Sequence, residues 1–178
     1  FADGTTAGII AEGIVRGRRP GRAASLPGEH GRHLQRNQKH FSINSGFPMK
    51  EIAIQTRARF EMIDITAAVR QAAHEAKIDS GIALVYTPHT TAAITINENA
   101  DPDVPRDILA ALDRAVPLSS NYRHAEGNSA AHVKSSLVGA SEMVIIENGN
   151  LILGTWQSIF FCEFDGPRTR KVIVKFIP

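Results

Sequence analysis

The most constraining feature of the chain lies in its last third. Met143 to Glu147 reads as a strand, Asn148-Gly149 follows, and Leu151 to Leu153 reads as the return. Asn-Gly is the strongest short-range hairpin signal, because the favoured turn needs positive φ at both central residues. Ser158 to Phe164 and Lys171 to Ile177 are two further strands, set around Asp165-Gly166-Pro167-Arg168. Strands joined by tight turns imply an antiparallel sheet, since a parallel crossover needs about a dozen residues or more. The upstream sequence intersperses helices between strands, so the expected class is α+β: a compact domain built on a mainly antiparallel β-sheet or sandwich.

The strand pattern begins abruptly. Glu51 to Thr56 alternates polar and apolar residues, as a half-buried strand does, and Arg59 to Ile63 continues it or forms a second short strand. Asp64 or Thr66 is placed to cap a helix over 66–77, with Val69, Ala72, Ala73 and Ala76 on one face. Ile82 to Thr87 is a β-branched and aromatic run, expected to be buried on both faces. Pro88 breaks it, and Ala92 to Asn97 resumes as a strand. Asp101-Pro102-Asp103 has the composition of a helix start, and Ile108, Leu112 and Val116 mark one face of the helix that follows. Asn128 is placed to cap a shorter helix running to about Leu137, closed by Gly139.

Residues 1–48 differ from this pattern. They carry Arg16, Arg18, Arg19, Arg22, Arg32, Arg36 and Lys39 against Asp3, Glu12 and Glu29, and hold eight of the 14 glycines. Such a stretch has little apolar surface to bury and is expected to be a disordered extension. It reads as a transit peptide, a basic arm, or an upstream extension without function before Met49. The formal net charge of +2 over 178 residues therefore belongs to the arm, and residues 49–178 carry a slight acidic excess. That balance argues against nucleic acid as a partner. The single cysteine, Cys162, excludes an intrachain disulfide, and no apolar run is long enough to span a membrane. The cytoplasm is the expected compartment. Phosphate-binding Gly-rich loops, dinucleotide fingerprints and the Gly-x-Ser-x-Gly elbow have no counterpart here.

Polar clusters interrupt the regular elements. Tyr86-Thr87-Pro88-His89-Thr90-Thr91 sits where one strand breaks and the next begins, and Asn97 to Asp103 joins a strand to a helix. Arg123-His124-Ala125-Glu126-Gly127-Asn128 precedes His132 and Lys134, and His132 falls one helical turn after Asn128. His89, His124 and His132 together would match the ligand count of an open catalytic metal site. Each taken alone is more often a hydrogen-bonded structural residue or a surface one. Capping accounts for Asp101 and Asp103, whereas Glu98 precedes the cap. Gly154-Thr155-Trp156-Gln157 sets a glycine beside the sole tryptophan at a strand junction, as in a bulge or a close backbone approach.

Taken in order, these blocks resemble the YjbQ family, described as secondary thiamine-phosphate synthases. The resemblance rests on Thr87-Pro88-His89-Thr90-Thr91-Ala92-Ala93, on Asn97 to Val104, and on Tyr122 to Asn128 with His132 and Lys134. Leu153 to Gln157 and Cys162 to Arg168 complete it, and it covers Met49 to Pro178. It implies a homotrimer with a phosphorylated small-molecule substrate. The implied reaction joins hydroxymethylpyrimidine diphosphate to thiazole phosphate with release of pyrophosphate. His89, His124 and Glu98 would then be catalytic. Arg123 and Lys134 would hold phosphate oxygens, and Thr91, Asn128, Thr155 and Gln157 would position substrate. A divalent metal ion is expected: zinc on His89, His124 and His132, or Mg²⁺ with Glu98 as the first carboxylate candidate and Glu126 the second. Two other functions fit the same residues, a metal-dependent phosphoester hydrolase and a non-catalytic trimeric protein that binds a metabolite or metal.

Overall fold

The computed structural model describes residues 46–178. The expectation of disorder for residues 1–48 falls almost wholly outside the described residues. In chain order the elements are β1 (Met49–Gln55), β2 (Glu61–Asp64), α1 (Thr66–Glu75), β3 (Gly81–Tyr86), β4 (Ala92–Glu98) and α2 (Asp103–Ala115). They continue with α3 (Ser129–Val138), β5 (Ser141–Glu147), β6 (Asn150–Leu151), β7 (Gln157–Glu163) and β8 (Thr169–Ile177). All pairings are antiparallel, in a five-stranded sheet of order β1-β8-β3-β5-β6 and a three-stranded sheet of order β2-β7-β4. The fold is the expected α+β sandwich.

The chain changes sheet at almost every connection; only β5 and β6 are successive strands of one sheet. The sequence places β7 and β8 around a tight turn, but they are not a hairpin. The turn at 165–168 is a corner between the sheets. Its geometry needs Gly166, where an added Cβ would strike the Ala58 carbonyl oxygen and come within 2.9 Å of Thr56 Oγ1. The Asn148-Gly149 turn does form the expected hairpin, with φ of 50° and 72°.

Alternation along the strands explains the packing. Ala83, Val85, Val144, Ile146, Val172, Val174 and Phe176 point from the larger sheet toward Ile94, Ile159 and Phe161 of the smaller one. Val69, Ala72 and Ala73 of α1 join the same core. The other face of the smaller sheet presents Ala93, Phe160, Cys162 and Phe164 to Ala131 of α3 and to Leu109 and Leu112 of α2. Each fully buried large apolar side chain stabilises the fold by about 1.5–3 kcal/mol. Burial also pushes the Cys162 thiol up to about 12, which fits its reading as a small core residue.

The outer face of the larger sheet differs from expectation. β3 is central, yet only Ala83 and Val85 of its residues are fully buried. Ile82 and Leu84 are half-buried beside the exposed Ile145 and Met143, with which they pair. Among the described residues no helix covers this face, so period-2 burial replaces burial on both sides.

The N-caps of α1 and α2 are Ile65 and Pro102, so Asp64 and Asp101 stand one residue before the cap position and bond across the helix start instead. Asp64 Oδ1 accepts from Thr66 N–H at 2.8 Å, and Asp101 Oδ1 accepts from Asp103 N–H at 2.9 Å. Asn128 stands at the N-cap of α3, but its side chain makes no capping bond there; its Nδ2 donates to Asp165 Oδ2 at 3.1 Å.

Candidate functional site

The loop from Thr87 to Thr91 links β3 to β4 across the two sheets. Pro88 prevents β3 from continuing, because it has no N–H for the ladder. Both ends of the loop are pinned: Thr87 N–H donates to Ala140 O at 2.9 Å, and Thr91 O accepts from Phe164 N–H at 3.1 Å. Opposite the loop lies the C-terminal half of α3, tied down by Ser135 Oγ donating to Ala92 O at 2.7 Å. Between them is a cavity of about 410 Å³ whose walls include Thr87, His89, Thr90, His132, Ser135 and Ser136. Thr87 Oγ1 is buried and has no hydrogen-bond partner among the described residues. Ser135 and Ser136 spend their hydroxyls on Ala92 O and His132 O.

His89 is held in one protonation form. Its Nε2 accepts the Lys171 backbone N–H at 2.9 Å, so in the neutral ring the proton sits on Nδ1. Burial, reinforced by the Arg170 and Lys171 charges and partly offset by Glu163, holds the imidazole below its ordinary pKa. His89 is therefore a neutral Nδ1–H donor near pH 7.

His124 and His132 converge as their spacing suggested. Their ring centroids are 5.4 Å apart and edge-to-face at 81°. His124 Nε2 lies 3.6 Å from Glu126 Oε2. His124 borders a second hollow of about 400 Å³ with Ser129, His132 and Val133, and His132 is the wall the two hollows share. Arg123 is exposed on the loop beside His124.

The three histidines do not form a metal site within the chain. The Nε2 lone pair of His89 is already occupied by Lys171 N–H. Among the described residues no three His, Cys, Asp or Glu side chains gather as metal ligands. The expected zinc trio does not fit this geometry.

Three expected substrate ligands are engaged inside the protein instead. Lys134 is 1% exposed; its Nζ donates to Asp113 Oδ1 at 2.8 Å and lies 4.0 Å from the Phe60 ring centroid. It cannot reach the cavity as a phosphate ligand. Thr91 is buried, and its Oγ1 accepts from Arg170 Nη2 at 2.9 Å. Asn128 is tied to Asp165, though its Oδ1 is buried without a partner.

Glu98, Thr155 and Gln157 sit elsewhere. They line a separate hollow of about 370 Å³ with Gly154 and Trp156, and none of these residues lines the histidine cavity. Glu98 is therefore not brought to His89 within the chain.

Sequence reasoning missed the charged layer beneath the cleft. Glu163 is fully buried and accepts from Arg170 Nε at 2.7 Å, Arg170 Nη2 at 2.6 Å and Thr56 Oγ1 at 3.1 Å. It also accepts from the Phe164 and Asp165 backbone N–H groups. The signal was a carboxylate inside the apolar run Ser158 to Phe164, since an acid is almost never fully buried unless paired.

Taken together, these features define a small two-sheet α+β sandwich with a histidine- and threonine-walled cleft at the turn between the sheets. The family model described as UPF0047 protein YjbQ-like matches residues 50–178, and the chain belongs to that family. It is 59% identical over 130 residues to UPF0047 protein YugU of Bacillus subtilis, covering 72% of this chain and 98% of that protein. It is 56% identical over 124 residues to a UPF0047 protein of Methanocaldococcus jannaschii, covering 70% and 90%. The crystal structure of a YjbQ/UPF0047 family protein from Clostridium acetobutylicum, 57% identical, aligns with a TM-score of 0.71 over 72% of this chain and 99% of that one. A YbjQ-like protein of unknown function from Sulfolobus solfataricus, 34% identical, also aligns with a TM-score of 0.71, covering 73% and 96%.

Proposed function

We propose that the cleft between His89 and His132 binds a phosphorylated small molecule and that the chain is a thiamine-phosphate synthase of the secondary type. The observation that carries the binding reading is the cavity of about 410 Å³ with two imidazoles, His89 and His132, in its wall. The reaction itself comes from the family resemblance.

In that reaction the methylene carbon of the pyrimidine substrate forms a bond to the thiazole nitrogen, and its carbon–oxygen bond breaks. The electron pair leaves with pyrophosphate, so fixed donors near the departing oxygens lower the barrier. His89, held as an Nδ1–H donor, is suited to that task. His132 and His124 extend the donor surface, and the exposed Arg123 supplies positive charge at its rim. A divalent cation enters with the diphosphate as part of the substrate.

Assembly as a homotrimer belongs to the same reading. The outer face of the larger sheet exposes Met143, Ile145, Ile152 and Ile177, and apolar patches of this kind mark contact surfaces. Among the described residues no helix is long and apolar enough to cross a membrane, and the reading places the chain in the cytoplasm.

The test incubates purified full-length chain with both substrates and follows pyrophosphate release. Release that needs both substrates and falls about a hundredfold in His89→Ala supports the synthase. Release from a single phosphoester without the second substrate favours the hydrolase. Binding of phosphorylated ligand without turnover favours the non-catalytic protein. Sedimentation of wild type and Ile145→Lys checks the trimer.

A further inference from the structure

The hollow formed by Glu98, Gly154, Thr155, Trp156 and Gln157 takes no part in the histidine cleft, and its construction is unusual. Trp156 is 65% exposed. A large indole left in water normally reflects a loose loop or a contact surface, and this loop is not loose. Gln157 N–H donates to Gly154 O at 2.9 Å, and Gly154 N–H donates to Gln157 Oε1 at 2.7 Å. Asn99 N–H donates to Trp156 O at 2.9 Å, joining the turn to the end of β4. Asn99 Nδ2 and Ser158 Oγ both donate to Asp64 Oδ2, at 2.8 and 3.3 Å. The turn is therefore braced from both flanks, and the indole is displayed rather than stranded.

The other wall is a carboxylate. Glu98 pairs directly with Gln157 across β4 and β7, so both side chains rise from one face of the smaller sheet. No ion pair among the described residues engages Glu98. The lining contains no Lys, Arg or His. An unpaired acid beside an exposed indole offers a cation two complementary attractions, charge to the carboxylate and charge to the face of the ring. The volume of about 370 Å³ suits a single ring with small substituents.

We propose that this hollow binds a flat organic cation, such as a quaternised nitrogen heterocycle, with its ring against Trp156 and its charge toward Glu98. The thiazolium product of the proposed transfer belongs to the same ligand class, so the inference rests on that reading for its ligand; cation binding is read without turnover, so an inactive cleft would leave it intact.

Trp156 is the only tryptophan of the chain, so its fluorescence reports on the hollow directly. The experiment titrates the full-length protein with 1-methylnicotinamide, a pyridinium cation, and in parallel with neutral nicotinamide, and repeats both by calorimetry. The expected result is saturable quenching and measurable heat with the cation, and affinity weaker by about tenfold or more for the neutral analogue. Glu98→Gln should weaken the cation by about fivefold and leave nicotinamide unchanged, and Trp156→Leu should abolish its heat of binding. Linear, unsaturable quenching, equal affinity for both compounds, or an unchanged affinity in Glu98→Gln overturns the proposal. So does a Trp156 emission already blue-shifted at working concentration that red-shifts on dilution, since a second copy of the chain then occupies the hollow.

Discussion

Thr91 and His89 are two positions apart in one loop and belong to different worlds. Thr91 is buried in a layer where Glu163, Arg170 and Thr56 satisfy one another. His89 lines an open cavity with Thr87 and His132, and its imidazole accepts only the Lys171 N–H among the described residues. The layer has its polar atoms paired, whereas the cleft has one buried hydroxyl that is not. Polar residues with the same look in sequence thus divide into those that hold the sandwich corner and those left available to a ligand.

The sharpest way to break this division is at Glu163. Replacing it with alanine strands Arg170 as a buried, unpaired cation, and breaking such a pair costs about 3–5 kcal/mol. Urea unfolding should show that loss, and a change below about 1 kcal/mol would mean the layer is not what holds the corner. Thr91→Val leaves Arg170 short of one acceptor and should cost about 1–2 kcal/mol in the same measurement.

Thr87→Val should do the reverse. It removes an unpartnered hydroxyl at nearly constant shape, so stability should hold or rise by up to about 1 kcal/mol. Lower stability would put Thr87 in the structural class with Thr91. The smallest effect concerns pH. His89 is held below its ordinary pKa in the folded state, so the unfolded chain binds its proton more readily. Its contribution to stability is complete above the unfolded value near 6.5 and is lost as pH falls through the depressed folded value. Stability measured across that window should slope less in His89→Asn than in wild type.

The fold was legible because its signals are local. Asn148-Gly149, Pro88, Asp101-Pro102 and the period-2 strands each act within a few residues, and each stands where expected. The sheet assignment was not legible, because β7 and β8 meet at a corner that a turn motif alone cannot distinguish from a hairpin. The site was legible in part. His124 and His132 met because His132 stands one helical turn after Asn128 and His124 lies in the loop just before it, a short-range placement, whereas the fates of Lys134 and Asn128 depended on Asp113 and Asp165, contacts 21 and 37 positions away. Glu163 needed a different question: why an acid should stand in an apolar strand at all.

The place of β8 between β1 and β3 has a kinetic consequence. Glu51 and Lys171, ion-paired across the seam of β1 and β8, lie 120 positions apart. Until that distance is closed, β1 has no neighbour and β3 lacks one of its two, so the larger sheet cannot grow outward from its hairpin alone. Topologies of this kind fold slowly, because loop entropy is lost before the distant contacts reward it. A fragment ending at the 165–168 corner would keep most of the residues and lose the strand that joins β1 to the rest, which makes the sandwich one cooperative unit rather than two sheets in series.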